Sequence, residues 1–200
     1  MSKKKSKEHM SKSKTKGDNL PSLQRAVVLD LAKSEPQTIN ETVTSIGKSY
    51  KPTWVSFNSL EKKKLIWKTG FKEYRGREYP RFWLTAKGII IAILEGADRI
   101  LILDESKRLF PEAKILHCFL ELVEHLNPMV LQLGLNVVEK KGDMDFAGLM
   151  TILISDTTSE NDAETMNRIV AVLKNYPQEY EKAKILIQQM INQLNQLIID

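Results

Sequence analysis

Residues 51–94 read KPTWVSFNSLEKKKLIWKTGFKEYRGREYPRFWLTAKGIIIAIL, and three different patterns follow one another in this stretch. Up to Lys64 the apolar residues recur at helical spacing. Two aromatic and β-branched runs then come, IWKTGFKEY and EYPRFWLT, parted by Arg75-Gly76-Arg77. The last part is a solid apolar run. A period near 3.6, then strand-like runs about a glycine turn, then an apolar block predict helix, hairpin and helix. Gly76 gives the turn its backbone freedom, and Thr85 is placed to cap the next helix, from Ala86 to about Leu94. Pro80 suits an edge strand rather than a central one. Phe82 and Leu84 are expected to face inward, with Tyr79, Arg81 and Trp83 outward. Cations crowd this region: residues 48–87 hold eleven Lys and Arg against Glu61, Glu73 and Glu78, a local +8 in a chain of net charge +5.

Working outward toward the N-terminus, Leu23, Val27, Val28, Leu31 and Ala32 predict a first helix that stops before Glu35-Pro36. Thr38-Ile39 is short and β-prone. Asn40 is expected to cap a second helix that runs through Ile46 and closes at Gly47. Pro52 suits the first position of a third helix, where its missing N–H costs nothing. On that helix Thr53, Phe57 and Leu60 form one stripe, with Ser56 small enough to lie against the second helix. Lys51, Trp54, Val55, Asn58, Ser59 and Lys62 form the opposite stripe.

Polar side chains, one large aromatic and flanking lysines on a helix face suit the major groove of a duplex. Asn58 fits an adenine edge and Val55 a thymine methyl, while Lys62, Lys63 and Lys64 reach phosphates, which position without specifying. Trp54 is equally well placed to fold back into a core. Thr53, at the start of the helix, is included with the candidate contacts. Arg75 and Arg77 at the hairpin tip, with Arg81 on the return strand, suit a sugar-phosphate backbone or a narrow minor groove. SLEKKKLIWKTG followed by GREYPRFWLTAKG resembles the winged helix-turn-helix pattern of archaeal and bacterial transcription regulators. In that pattern a recognition helix ends before Leu-Ile, a wing follows, and Leu-Thr-x-x-Gly opens the next helix. The resemblance covers about 80 residues, 23–103. It implies double-stranded DNA as the usual ligand, although some members use the same surfaces for protein contacts alone. Lys64 departs from the pattern, which usually has Gly there, so the turn after the helix forms at a cost of roughly 1 kcal/mol.

Charge is partitioned along the chain. Residues 1–19 carry +5 and residues 20–110 carry +6, whereas residues 111–200 carry −6. A basic front and an acidic back argue for two surfaces with different partners. The first 19 residues are nearly devoid of apolar side chains, so they are expected to be a disordered arm that attracts phosphates without reading sequence. Cys118 is the single cysteine, which rules out an internal disulfide and fits a small apolar filler better than a reactive thiolate. The longest apolar runs fall far short of the ~20 residues a membrane span needs, and no secretory pattern is visible, so a cytoplasmic protein is expected.

Beyond Phe110-Pro111 the pattern is helical throughout. Residues 112–126 carry a stripe of Leu116, Phe119, Leu120 and Val123 and end at Asn127-Pro128; residues 129–138 and 146–154 read as shorter helices. The acidic loop SDTTSEND precedes a helix over 163–175, which Pro177 ends or kinks. In the last segment Tyr180, Ala183, Ile187, Met190, Leu194 and Leu197 keep the 3-4 spacing of a coiled-coil seam, and this predicts a homodimer built on the acidic half. His117, Glu121 and His125 share a stripe that has metal-ligand spacing, but it is also the polar side of an amphipathic helix, and no metal is expected. No phosphate loop, nucleophile elbow or calcium loop appears, so an enzyme is not expected and no cofactor is implied. Nothing in the pattern identifies a small-molecule effector.

The chain is thus expected to be mainly α. A disordered tail (1–19) leads into a winged helix-turn-helix domain (20–110), and an acidic helical dimerisation domain (111–200) ends in a long heptad-like helix. The function expected is a sequence-specific double-stranded DNA-binding regulator. The alternative is a winged-helix module that docks onto protein in transcription or replication machinery.

Overall fold

The computed structural model describes residues 20–125, 129–157 and 163–199. The basic arm expected over 1–19, the Asn127-Pro128 break and the 158–162 part of the acidic loop lie outside these residues. Three helices come first, α1 (Ser22–Leu31), α2 (Ile39–Ile46) and α3 (Tyr50–Lys62), then an antiparallel hairpin, β1 (Ile66–Tyr74) and β2 (Arg77–Leu84). This order is compatible with a winged helix. Seven more helices follow: α4 (Ala86–Leu94), α5 (Arg99–Leu109), α6 (Lys114–Leu122), α7 (Met129–Lys141), α8 (Phe146–Thr157), α9 (Ala163–Lys174) and α10 (Pro177–Ile199).

Helix starts are set by local hydrogen bonding, and two differ from expectation. The cap of α2 is Thr38 rather than Asn40: its hydroxyl accepts from Glu41 N (3.3 Å), and the Glu41 carboxylate returns to Thr38 N (2.7 Å). A reciprocal pair satisfies two end donors, whereas Asn40 would satisfy one. Gly47 closes α2 at φ 63°, as expected. Helix α3 begins at Tyr50, two residues before Pro52, which stays within the first turn where no N–H is needed. Helix α5, capped by Asp98 through Ile100 N (2.8 Å), has no counterpart in the sequence reading. Its buried Ile102, Leu103 and Ser106 form only a narrow stripe. Helix α6 ends at Leu122 and passes into a 3-10 turn, Val123–His125.

The turn between α3 and β1 is built from both sides. Lys64 takes φ 57° despite its side chain, as its departure from the pattern required. Thr85 then clamps it: the hydroxyl donates to Lys64 O (2.7 Å) and accepts from Gly88 N (3.1 Å), while the Thr85 N–H donates to Leu65 O (3.0 Å). Helix α4 therefore lies directly on the Leu65 carbonyl. A Cβ at position 88 would stand 2.9 Å from that carbonyl carbon and closer still to its oxygen, so only glycine fits.

In the hairpin, Arg75 (φ 51°) and Gly76 (φ 69°) form the two-residue loop. Positive φ at both positions is the type I′ geometry that matches the twist of paired strands. Register shifts between Lys68 and Gly70. Phe82 and Leu84 are buried as expected, but Trp83 is buried too, at 0% exposure. The outward assignment of Trp83 fails because both faces of the hairpin foot are covered. Phe57 of α3 meets Phe82 edge-on at 5.1 Å on one side, and Phe110 packs on Trp83 at 5.6 Å on the other. Burying an indole of 150–250 Å² at about 25 cal/mol per Å² favours the inward position by about 4 kcal/mol or more. Its N–H is satisfied by Ser34 O at 3.2 Å.

The core runs without interruption from Val27, Phe57 and Trp83 through Ile90 and Phe119 to Leu149, Leu173 and Ala183. Helix α4 packs on α7, and Lys87 joins Glu139 across that contact at 2.9 Å. Gly134 allows α7 to approach the ring of Phe119 in α6. Among the described residues, no helix is long and apolar enough to cross a membrane.

Candidate nucleic-acid interface

The open face of α3 carries fewer of the candidate residues than its periodicity suggested. Lys51, Trp54, Val55 and Lys62 are exposed, Trp54 at 46% and Val55 at 53%. Trp54 thus lies outward. Thr53 is a correction: it is wholly buried and its hydroxyl donates to Ser49 O at 2.9 Å, so it ties down the first turn and meets no ligand. Ser59 is half-buried and accepts from Gln24 Nε2 at 3.0 Å, while Lys63 donates to Gln24 Oε1 at 3.2 Å. Both hold α3 to α1. Asn58 is half-buried beside them.

At the hairpin tip the arginines separate in role. Arg77 is exposed, and Arg75 lies over the Tyr74 ring at 5.1 Å, a cation–π contact that extends it along the strand end. Arg81 does not join them. Its Nε donates to Pro36 O at 2.6 Å and its guanidinium lies 3.7 Å from Glu35, so it braces β2 against the α1–α2 connection. Glu73 and Glu78 stand opposite each other in the ladder just below the tip, which places two carboxylates beside the two arginines.

The local charge of +8 is therefore an overcount of what a ligand would meet. Lys72 pairs with Glu41, Lys68 with Glu61 (3.4 Å), Lys87 with Glu139 and Arg81 with Glu35. Burial works against the charged form of the Glu41 carboxyl, yet hydrogen bonds from Lys72 and from Thr38 hold it below the ordinary value. Lys48, Lys51, Lys62, Lys64 and Arg77 are exposed and carry no ion pair or hydrogen bond among the described residues. Lys48, in the α2–α3 turn, was not among the sequence candidates; its place between Gly47 and the start of α3 is the signal that would have found it. The same surface holds exposed Tyr50, Trp54, Phe71 and Tyr74.

In the acidic half, only part of the proposed seam is open. Ala183 is buried and Tyr180 half-buried against the chain's own α9 side, so these two are corrected from contacts between copies to internal packing. Ile187 is 48% exposed and its neighbour Ile185 58%. The side chains of Met190, Leu194 and Leu197 lie outside the described residues.

The His117 stripe is committed to structure. His117 is buried with Nε2 3.2 Å from Ser106 Oγ, and burial lowers its pKa from the ordinary 6.5. Glu121 accepts from Lys107 Nζ (2.6 Å) and the Tyr176 hydroxyl (2.7 Å). No three His, Cys, Asp or Glu side chains among the described residues are grouped to hold a metal ion; the His125 side chain is outside them. Burial pushes the Cys118 thiol up to about 12, so it is no thiolate near neutrality. Comparison with protein-family models, with curated proteins and with solved structures returns no match.

Proposed function

We propose that this chain is a winged-helix protein that binds double-stranded DNA as a homodimeric transcription regulator. Helix α3 enters the major groove and the β1–β2 wing lies along the backbone. The observation that carries the reading is the outward face of α3, where Lys51, Trp54, Val55 and Lys62 are open, beside a type I′ turn with exposed Arg75 and Arg77. Groove-facing groups on the helix and phosphate-facing cations around it are the division of labour such a fold uses. In a two-fold dimer joined through Ile185, Ile187 and the continuing seam of α10, two such faces would meet half-sites about 34 Å apart.

Selection from random duplexes with the full chain tests this. A preferred sequence should emerge, with binding that survives competitor DNA and weakens steeply as salt rises. Replacing Arg75 and Arg77 by Ala should lower the salt slope by about 2, one per phosphate contact. Lys51→Ala with Asn58→Ala should relax the preferred sequence. Unchanged binding in both double variants would sink the mechanism.

A second reading has its own observation. Four exposed aromatics, Tyr50, Trp54, Phe71 and Tyr74, are the residue types enriched where proteins meet proteins. If no duplex is preferred and binding vanishes under competitor, the same face is a protein-docking surface.

A further inference from the structure

We infer that the cleft at the foot of the hairpin is a binding site for a flat, aromatic organic cation. Its volume is about 600 Å³, within the range of small-molecule sites. The walls come from five places in the chain: Trp67 and Leu84 at the hairpin foot, Ile89 in α4, Phe110 in the α5–α6 connection, Leu116 in α6, and the α7–α8 loop. Trp67 decides the chemistry of the wall. Its cross-strand partner Trp83 is fully buried, yet Trp67 itself is 44% exposed, held by Phe110 with ring centroids 5.2 Å apart. An indole fixed on one side and open on the other offers a face on which a second ring system can stack.

The charge of the occupant follows from the rim. Glu112 and Asp143 are the charged residues in the lining, and both are exposed carboxylates; no lysine or arginine lines the cleft. The lysines nearest in sequence point elsewhere. Lys141 is held by Asp145 at 2.6 Å, and Lys114 lines a separate cleft on the other side of α6. Neither carboxylate has an ion-pair partner among the described residues. An aromatic wall with unopposed negative charge favours a cation twice, by cation–π attraction and by coulombic attraction at the mouth. An anion of the same shape would meet repulsion.

The site also touches both halves of the molecule. An occupant would contact the foot of the hairpin and the acidic helices together, so it would change how firmly the hairpin is held. That consequence rests on the DNA-binding reading. The site itself does not.

The test uses the full chain without DNA and two dyes that share a tricyclic core but differ in charge, rhodamine 6G (cationic) and fluorescein (anionic), read by fluorescence anisotropy and tryptophan quenching. Rhodamine 6G should bind in the micromolar range and fluorescein at least tenfold more weakly, about 1.4 kcal/mol. Trp67→Ala should weaken rhodamine 6G by about tenfold, the worth of a stacked aromatic contact. Because that variant disturbs the hairpin foot, Glu112→Gln with Asp143→Asn gives a second arm: both sites are exposed, and the charge preference between the dyes should collapse. Equal binding of the two dyes overturns the inference, as does absent rhodamine 6G binding or binding unmoved by all these substitutions. Dye binding by a protein that prefers no duplex would leave the cleft standing and remove the regulator reading alone.

Discussion

Gly88→Ala separates two physical effects that point in opposite directions. By helix propensity the substitution is favourable, since Ala is better than Gly by about 1 kcal/mol inside a helix and by less in the first turn. By packing it is not. The new Cβ would lie 2.9 Å from the Leu65 carbonyl carbon and nearer its oxygen, whereas carbon atoms rest about 3.5–4.0 Å apart. Helix α4 must retreat by roughly 1 Å, and overpacking of this kind costs about 1–3 kcal/mol. The retreat also stretches the Thr85 N–H to Leu65 O and Thr85 hydroxyl to Lys64 O bonds, each worth about 1 kcal/mol. The net expectation is a loss of about 2–3 kcal/mol, which in a chain of this size lowers Tm by roughly 5–10 °C. Urea and thermal unfolding followed by circular dichroism would read it. Gly70→Ala is the control, because a Cβ there meets nothing within 4 Å and φ is not positive, so stability should stay within about 0.5 kcal/mol. A Gly88→Ala protein as stable as the parent would refute the claim that this close approach fixes α4 on the α3–β1 turn.

Three further outcomes are expected. Ile185→Lys with Ile187→Glu, both exposed in the chain, should leave unfolding nearly unchanged but shift the light-scattering mass from dimer to monomer; a mass unaffected by both charges would show that α10 is not the seam. His117 is held neutral, with a folded pKa below its ordinary 6.5, so the unfolded chain takes up its proton first. Its contribution is then complete above pH 6.5 and declines as pH falls through and below that value; in His117→Gln this part of the pH dependence between 7 and 5 should vanish, leaving the carboxylate losses at lower pH. Lys107 and Glu121, which act on His117 with opposite sign, are common to both proteins in that comparison. Cys118, buried and with its thiol raised to about 12, should resist iodoacetamide in the native protein and react once urea is added.

Legibility in the sequence followed the range of the interaction involved. The hairpin and its turn were readable because Gly76 and the two β-prone runs act over a few residues. So were the Lys64 turn, the Thr85 cap and the Gly47 stop, each a property of one or two dihedrals. Thr38 displaced Asn40 as a cap because a partner three residues on, Glu41, made the better hydrogen-bonded pair. Helix α5 was missed because only three of its positions are buried, too few to mark a stripe. The candidate interface was less legible than the fold. Exposure of Trp54 depends on no neighbouring element covering it, and commitment of Ser59, Lys63 and Arg81 depends on Gln24, Pro36 and Glu35, residues 35 to 46 positions away in the chain.

By itself the sequence determined that this chain makes helices with one hairpin after the third, where the turns fall, and that its charge divides into a basic front and an acidic back. Those follow from backbone preference, side-chain periodicity and composition, which are local or additive. Only the tertiary structure decided which charges remain free, that Trp83 faces in while Trp67 stays half open, that Ala183 is spent inside its own chain, and that a cleft forms at the hairpin foot. Each of these is set by a surface that another, distant part of the chain covers or leaves bare, and a one-dimensional pattern carries no record of which parts meet.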